Sequence, residues 1–288
     1  MFKLRSRLLI VKKIGILYHP LNEAAYPLAE GLKGFLEAKG VSAWLCSAWK
    51  CDEARAQLDN TDLILTIGGD GTILRAAEVV VPAPIPITGV NLGKLGFMTE
   101  LEAAEVKTKL PALLAGKGWL DERSMLEAEL VAADQEAPRW FHALNDVVLA
   151  RGEIARVVYV DASIDNEPLA TYKADGVMVS TATGSTGYAL AAGGPVLHPR
   201  AEEFLLVPIL PHLSPAHALV LPAKTVVRLC IKTTHKATLS IDGHINLPLP
   251  SGAVVTVKHS PNKIRFLRIH AEKFYRSLEQ SFKEESVD

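Results

Sequence analysis

The sequence contains little cysteine: of its 288 residues only Cys46, Cys51 and Cys230 are of this type. An odd, sparse set without paired spacing argues against a disulfide framework and against a zinc site. The nine histidines are scattered singly, so we predict no structural metal. Low cysteine usage is typical of a reducing compartment, and we expect a cytoplasmic location.

The sequence also lacks long apolar runs and an excess of charge. No run approaches the roughly 18 to 20 apolar residues of a membrane-spanning helix. The basic start, Met1 to Lys13, has the apolar core Leu8-Leu9-Ile10-Val11, which is too short for a signal peptide. A net charge of −1 provides no electrostatic footprint for nucleic acid or an anionic membrane. We therefore expect neither as a partner.

Strand and helix patterns alternate over the first part of the chain. Four short apolar runs are typical of buried strands: Lys13–Tyr18, Val41–Leu45, Leu63–Ile67 and Ile85–Val90. Helical patterns follow them, from Pro27 to before Gly40 and at Glu53–Leu58, Thr72–Val81 and Glu102–Leu114. This alternation predicts a Rossmann-like α/β domain with a parallel sheet, whose ligands bind beyond the carboxyl ends of the strands.

The pattern changes after about Asp121, where β-rich runs replace the alternation. The runs are Leu126–Ala132, Trp140–Ala150, Val157–Ile164, Gly176–Ser180, Leu205–Ile209, Val226–Ile231, Ala237–Ile241, Val254–Lys258 and Ile264–Ile269. They predict an antiparallel sheet or sandwich. We place an α/β domain at residues 1–121 and a β-rich, sandwich-like domain at 122–270. A C-terminal helical tail at 271–288 is expected to pack back on the first domain.

The segment Gly68-Gly69-Asp70-Gly71-Thr72, here called the glycine loop, joins the predicted strand Leu63–Ile67 to a helical pattern. Glycines at a helix N-terminus let backbone N–H groups approach an anion, so the glycine loop favours phosphate. Asp70 would repel phosphate unless it handles a proton or a metal ion. We interpret it as a general base or a Mg²⁺ ligand in phosphoryl transfer. The alternative is that Asp70 caps the helix.

Two polar clusters in the second half favour a sugar or a nucleotide. Asn145-Asp146 precedes an apolar run, and an amide beside a carboxylate can hold a diol such as ribose. A hairpin turn explains this pair equally well. The segment Ser180 to Gly187 has five hydroxyl residues and two glycines in eight positions, and Tyr188 adds a stacking surface. Its alternative is a Ser/Thr capping turn.

Two further motifs are interpreted as structural turns. Asp242-Gly243-His244 follows an apolar run, and Asp-Gly is a strong hairpin signal. His212, in Pro211-His212-Leu213, is likewise interpreted as a turn histidine.

Taken together, these motifs resemble the NAD kinase family, which makes NADP from NAD and a phosphoryl donor, usually ATP. The first motif alone also resembles lipid kinases of the diacylglycerol type and phosphofructokinases, whereas the ordered series is specific. The residues that carry the resemblance are the glycine loop, Gly89 to Phe97, Leu144 to Val148, Asp175-Gly176, Ser180 to Tyr188 and Gly193-Gly194-Pro195.

The resemblance implies a kinase that uses ATP with Mg²⁺ or another divalent cation, without a tightly bound organic cofactor. It implies that Asp70 acts on the 2′-hydroxyl of the adenosine ribose of NAD, and that the enzyme is a homodimer or homotetramer. Phe97 and Met98 would lie near adenine. The substrate and nucleotide contacts that it implies are Gly68, Gly69, Gly71, Thr72, Arg75, Phe97, Asn145, Asp146, Arg156, Lys173, Asp175, Thr183, Thr186, Gly187, Tyr188, Ala189, Ala191 and His244.

The sequence departs from the family pattern at three places. Asp146 replaces a common Glu, which keeps the charge but shortens its reach, and Gly187 replaces a usual Ala. Residues 212–217 lack the usual Arg, so we assign them no role. Two other functions stay open: a lipid kinase, which would need a greasy acceptor groove, and a regulator that binds the dinucleotide without phosphoryl transfer.

Overall fold

The computed structural model describes residues 11–93, 96–132, 137–154, 156–271 and 274–285. Most of the basic start, as well as Lys94 and Leu95 of the Gly89–Phe97 motif, lies outside these residues. The chain divides into two compact units. Unit 1 contains the described residues up to Glu122 and those from Ile264 onward, and unit 2 is Arg123–Lys263.

The strands are numbered along the chain: β1 (Lys13–Tyr18), β2 (Ser42–Ser47), β3 (Leu63–Ile67), β4 (Ile87–Asn91), β5 (Leu101–Glu102), β6 (Trp119–Val131), β7 (Arg139–Ala143), β8 (Asp146–Arg151), β9 (Val158–Ile164), β10 (Glu167–Ala174), β11 (Gly176–Ser180), β12 (Phe204–Ile209), β13 (Leu219–Leu221), β14 (Val226–Lys232), β15 (Ala237–Ile241), β16 (Ile245–Leu249) and β17 (Val254–Arg268). The α-helices are α1 (Ala25–Glu37), α2 (Cys51–Arg55), α3 (Asp70–Val80), α4 (Val106–Leu114), α5 (Tyr188–Ala191) and α6 (Phe274–Glu285).

Unit 1 is the predicted α/β fold with a parallel sheet. Its strands run in the order β4-β3-β1-β2, and every neighbouring pair is parallel. Tyr18 pairs with both Ser47 and Ile67, and Ile67 pairs with Val90, so these strands end at one edge. Because the glycine loop directly follows β3, it lies at this carboxyl edge, where sheets of this class bind ligands.

The core of unit 1 forms where apolar faces of the helices cover the sheet. Ile14 and Ile16 of β1 are fully buried with Leu32 of α1 and Leu110 of α4. In α1 the buried residues Ala25, Ala29, Leu32 and Leu36 recur at intervals of three or four, which puts them on one helical face. The end of β17 joins the same sheet, since Phe266 pairs with Ile87.

Unit 2 is a β sandwich. One sheet is antiparallel and six-stranded, in the order β13-β12-β11-β8-β15-β16. The strands β10, β9, β14 and β17 form the facing layer, and the hairpin β6–β7 belongs to the same sheet. Alternate residues of both layers, such as Val147, Leu149, Val160 and Leu229, fill a common core. This two-layer packing confirms the β-rich second domain.

Predicted and observed elements differ mainly at edges and turns. The run Trp140–Ala150 is two strands, because the chain turns at Leu144-Asn145 between β7 and β8. Conversely, the two runs after Val254 form the single strand β17. The helix predicted from Glu102 begins at Val106, since Leu101–Glu102 pairs with β4.

Three strands of unit 2, β10, β13 and β16, are absent from the prediction. Each is the last strand at one edge of its sheet. An edge strand is covered less fully than a central one, so apolar and polar residues alternate less clearly along its sequence. The β9–β10 hairpin turns at Asp165-Asn166, with φ of 50° and 70°. These angles fit a type I′ turn, but Asp-Asn is a weaker signal than the glycine-containing pairs.

Candidate active site

The glycine loop connects the carboxyl end of β3 to the N-terminus of α3. Helix α3 begins at Asp70, two residues before the predicted start, and Gly69 is its N-cap residue. Among the residues that the structure describes, no side chain caps this helix by a hydrogen bond. The interpretation of Asp70 as an N-cap is therefore wrong, and its carboxylate is engaged elsewhere.

Asp70 is held by backbone amides of a segment far along the chain. Its Oδ2 accepts a hydrogen bond from the Phe97 N–H at 3.0 Å and its Oδ1 one from the Met98 N–H at 3.2 Å. Burial raises the pKa of the Asp70 carboxyl, although these amides and the charge of Arg268 act in the opposite direction. A raised pKa makes the carboxylate a better proton acceptor near neutral pH.

Gly96 makes this close approach possible. A Cβ atom at position 96 would lie 2.6 Å from Asp70 Cγ and 2.7 Å from its Oδ2, closer than real Cβ contacts. Gly96 N–H also donates to Thr99 Oγ1 at 3.1 Å, which helps to fix the segment. The resemblance motif contained Gly96, but its local sequence did not predict that it faces Asp70.

Arg268 anchors the same segment from the other side. Its buried guanidinium donates to the Met98 carbonyl at 2.8 Å and the Thr99 carbonyl at 3.3 Å. It also forms ion pairs with Glu100 and Asp121, each at 3.3 Å. Buried charges persist only with such partners, so this network fixes the backbone that holds Asp70. Sequence reasoning missed Arg268, because its partners lie about 150 or more positions away.

Two other features complete the surroundings of the glycine loop. The Thr72 hydroxyl is buried and has no hydrogen-bond partner among the described residues, so an oxygen of a ligand could satisfy it. Arg75, on α3, stacks its guanidinium over Trp49 at 4.2 Å, and the His19 ring lies 4.5 Å from the same indole. Arg75 is thus held in place by an aromatic support that the sequence did not predict.

In unit 2, Asn145 lies in the turn between β7 and β8, Asp146 is the first residue of β8, and a buried carboxylate holds both. Asp242 accepts hydrogen bonds from the backbone N–H groups of Leu144 at 2.8 Å, Asn145 at 2.7 Å and Asp146 at 3.0 Å. The Thr181 hydroxyl donates to the Leu144 carbonyl at 2.6 Å. We call Leu144, Asn145 and Asp146 the clamped turn.

The polar side chains of the clamped turn, those of Asn145 and Asp146, line a cavity where they could meet a ligand. Asn145 Oδ1 is buried and has no partner among the described residues. Burial, and secondarily the charge of Asp242, raises the pKa of the Asp146 carboxyl to about 7. Burial also raises the pKa of Asp242, to about 6, against its three backbone hydrogen bonds. A cavity of about 630 Å³ in unit 2 is lined by Asn145, Asp146, Arg151, Tyr188, Ser240 and Asn246, among others.

Most hydroxyls of the Ser180–Gly187 segment are used within the protein. Ser185 Oγ donates to the Ala182 carbonyl at 2.7 Å, and Thr186 Oγ1 donates to the Thr183 carbonyl at 3.2 Å. The segment contains a short 3₁₀ turn at Gly184–Thr186, and among the described residues no N-cap side chain caps this turn or α5 by a hydrogen bond, so the capping-turn interpretation is not confirmed. Gly184 packs against the clamped turn, since a Cβ there would lie 2.7 Å from the Asn145 carbonyl carbon.

Some residues around this turn are placed toward solvent and others toward the core. Tyr188 is half exposed and lines the cavity, so its ring is available for stacking. Ala189 is buried with Val148 and Met178, whereas Ala191 is exposed. The buried Arg123 guanidinium donates to Thr183 Oγ1 at 3.4 Å. Sequence reasoning missed Arg123, because one arginine in a strand carries no motif.

The remaining predicted contacts in unit 2 are Arg156, Lys173, Asp175 and His244. Asp175 forms an ion pair with Arg151 at 2.9 Å, and His212 Nε2 lies 3.9 Å from its other oxygen. Arg156, Lys173 and His212 line a second cavity of about 670 Å³. The structure thus brings His212 to Asp175, although the sequence suggested only a turn. His244 Nδ1 lies 3.2 Å from the Asp242 carbonyl oxygen.

Comparisons with known proteins agree along the chain. Residues 36–118 match the family model described as the ATP-NAD kinase N-terminal domain, and residues 144–269 match the ATP-NAD kinase C-terminal domain. A protein from Dehalococcoides mccartyi named NAD kinase is 52% identical over 94% of this chain and 96% of its own length. One from Chloroflexus aurantiacus with the same name is 39% identical over 93% of this chain and 98% of its own length.

Two solved structures have a similar fold. Yeast NADH kinase complexed with NADH superimposes with a TM-score of 0.81 at 25% identity, covering 96% of this chain and 89% of that one. An NAD kinase from Archaeoglobus fulgidus in complex with ATP has a TM-score of 0.74 at 24% identity, covering 94% and 98%. These likenesses agree with an α/β part, a β-rich part and a C-terminal helix.

Proposed function

This chain belongs to the NAD kinase family, and we propose that it transfers the γ-phosphoryl group of ATP to the 2′-hydroxyl of the adenosine ribose of NAD, giving NADP. The observation that carries the proposal is that both family domains are matched and Asp70 is held in the glycine loop. In the reaction the ribose oxygen forms a bond to the γ-phosphorus while the bond to the β-phosphate oxygen breaks. ADP leaves with that electron pair.

Asp70 is the residue we propose as proton acceptor. Catalysis of phosphoryl transfer needs alignment of the alcohol, neutralisation of charge and a place for its proton. Burial raises the pKa of Asp70, so the carboxylate takes the proton more readily than an exposed aspartate. The amides of Phe97 and Met98 orient its two oxygens. Gly68, Gly69, Gly71 and Thr72 would hold donor phosphates through the glycine loop.

A divalent cation fits this site as a companion of ATP. Among the described residues no three side chains of His, Cys, Asp or Glu gather as a metal cage. The Thr72 hydroxyl, which has no partner among the described residues, is an oxygen donor of the kind that Mg²⁺ prefers, and phosphates usually supply the other ligands of this ion. When bound with ATP, Mg²⁺ neutralises the charge that develops on the phosphates.

We assign NAD binding to the clamped turn and its neighbours. Asn145 and Asp146 would hold ribose hydroxyls, since an unpartnered amide oxygen and a carboxylate both accept hydrogen bonds from a diol. Tyr188 would stack on a ring of the dinucleotide, as its exposed face allows. The other residues proposed to surround the dinucleotide are Arg75, Phe97, Arg156, Lys173, Asp175, Thr183, Thr186, Gly187, Ala189, Ala191 and His244.

Two properties of the whole protein complete the proposal. We propose a homodimer or homotetramer, which the family resemblance implies, acting in the cytoplasm on NAD and ATP. Among the described residues no helix combines the length and apolar character that crossing a membrane requires.

The Asp146→Asn variant should raise the KM for NAD roughly tenfold, because a charge-assisted hydrogen bond worth about 1.5 kcal/mol is lost. The turnover number should change much less, since the reacting atoms are not touched. Initial rates of NADP formation against NAD concentration at pH 8 measure both constants. The control is Asp161→Asn, which removes an exposed ion pair with Lys232 in the same unit. An unchanged KM would remove Asp146 from the ribose site.

The proposed function is tested by incubating the purified protein with NAD, ATP and Mg²⁺. An NADP-specific dehydrogenase then reports the product. We expect NADP to accumulate in proportion to protein, and to need both ATP and Mg²⁺. Tight binding of NAD without any NADP would indicate a dinucleotide-binding regulator instead. Phosphorylation of a lipid, but not of NAD, would indicate a lipid kinase.

A further inference from the structure

The turn that follows β15 contains Asp242, a buried carboxylate. A hairpin turn alone does not require this residue to be buried. Asp242 and Gly243 have φ of 49° and 70°, so the predicted hairpin turn between β15 and β16 is confirmed. The Asp242 side chain, however, reaches beyond its own hairpin. It is buried and its two oxygens accept the three backbone N–H groups of the clamped turn.

We propose that Asp242 is a positioning residue for NAD: its buried carboxylate fixes the backbone of the clamped turn and places a negative charge beside Asp146. This inference rests on the proposed function, because it takes Asp146 as a ribose contact. Asp242 itself touches no substrate in this account. It acts through Asn145 and Asp146, whose backbone N–H groups both donate to its Oδ1.

The geometry explains why the two carboxylates behave differently. Asp242 receives three hydrogen bonds from backbone donors, and such bonds stabilise the charged form. Asp146 is buried beside that charge, and burial and the charge together raise its pKa to about 7. Of the pair, Asp242 therefore keeps the negative charge as pH falls, and Asp146 takes the proton first.

Other charged groups lie near Asp146 and Asp242 and also bear on the protonation of these two carboxyls. His244 lies next to Asp242, and its charge lowers the pKa of that carboxyl. Arg151 lines the same cavity but is engaged by Asp175 at 2.9 Å. Tyr188 contributes the remaining titratable group of the cavity wall. Burial is the main cause of the raised pKa of Asp146, and the charge of Asp242 adds to it.

The expected consequence is a pH-dependent affinity for NAD. An ionised Asp146 accepts hydrogen bonds from ribose hydroxyls more strongly than a protonated one. The KM for NAD should therefore be low above pH 7 and rise as pH falls through about 7. The KM for ATP should not follow this profile, because Asp146 is assigned no contact with the donor.

Asp242→Asn tests the proposal, because it removes the charge at nearly the same volume. At pH 8 the KM for NAD should rise by roughly ten- to a hundredfold, since the clamped turn loses a hydrogen bond and shifts. The turnover number should change much less. The pH at which the KM begins to rise should move to lower pH, because the contribution of the Asp242 charge to the raised pKa of Asp146 is gone while burial remains. A purely structural role would raise the KM without moving this midpoint.

The chain offers a matched control at Asp165. This residue has the same position in the β9–β10 hairpin, with φ of 50°, and accepts the Val226 N–H at 2.8 Å. Asp165→Asn should leave both the KM and its pH midpoint unchanged. Asp242→Glu retains the charge, so it should keep the midpoint near that of the wild-type enzyme even where the longer side chain raises the KM.

A measurement on the wild-type enzyme keeps the proposal testable should the Asp242 variants not fold. Calorimetric titration with NAD at pH 6.5, in buffers of different ionisation enthalpy, counts the protons exchanged. We expect proton release on binding in the wild type and none in Asp146→Asn. Equal proton release in both proteins, or an unshifted midpoint in a folded Asp242→Asn, would overturn the inference. Failure of the wild type to form NADP would instead overturn the proposed function.

Discussion

Replacing Asp70 by Asn should lower the turnover number roughly a thousandfold, within the range attributed to a positioned general base. Asparagine has nearly the same shape, and its oxygen can still accept one of the hydrogen bonds from Phe97 or Met98. It cannot accept the proton of the ribose hydroxyl. The fold and the affinity for NAD should therefore survive while phosphoryl transfer is lost.

The measurement combines NADP formation with calorimetric titration of NAD into the same preparation. Asp62→Asn is the matched control: its carboxylate also accepts two backbone N–H groups, those of Lys12 at 2.7 Å and Lys13 at 2.9 Å. Asp62 precedes β3, whereas Asp70 follows it, so the control lies at the other edge of the sheet. Near-normal NADP formation by Asp70→Asn would remove Asp70 from its proposed role.

Local sequence was sufficient for elements whose pattern is complete within a few residues. The strands β1, β3, β11 and β15 have the predicted bounds, because each is a short apolar run flanked by polar or glycine-containing segments. The glycine loop follows β3 as expected. The carboxyl-edge rule for parallel sheets then placed Asp70 at a ligand-binding edge, and the register of β3 with its neighbours agrees.

What the sequence could not predict are contacts between segments that are distant along the chain. Asp242 has a strong local role in a hairpin turn, and this concealed its hydrogen bonds to Asn145, about 100 positions earlier. Arg268 is one of many arginines until its carbonyl partners at Met98 and Thr99 are known. His212 was set aside because a family motif is incomplete there, yet it lies beside Asp175.

These long-range contacts have the same structural effect, which is to fix the backbone of a turn. Asp242 and Arg268 each satisfy backbone groups of a turn that carries, or touches, a proposed functional side chain. The backbone N–H and C=O groups of a turn form few hydrogen bonds with one another. A buried charged side chain that binds several of these groups therefore restricts the motion of the turn. The proposed catalytic and binding residues are therefore recognisable from local motifs, whereas the residues that hold them in position are not.

The Gly96→Ala variant should lower turnover by roughly a hundredfold without removing any functional group. The new methyl group would lie 2.6 Å from Asp70 Cγ, so either the carboxylate rotates away or the segment from 96 to 98 shifts. Both movements break the hydrogen bonds from Phe97 and Met98 that orient the carboxylate. Rates of NADP formation at saturating NAD and ATP measure the effect.

Gly93→Ala is the control for this variant, because it adds a methyl group to the same segment at a position where, apart from its chain neighbours, no described residue has an atom within 4 Å. It should keep wild-type turnover. The decisive comparison is the double variant Asp70→Asn with Gly96→Ala. If Gly96 acts only through Asp70, the double variant should be about as slow as Asp70→Asn alone, because residues that act as a unit are not additive. Multiplication of the two losses would show that Gly96 serves the reaction by a route independent of that carboxylate.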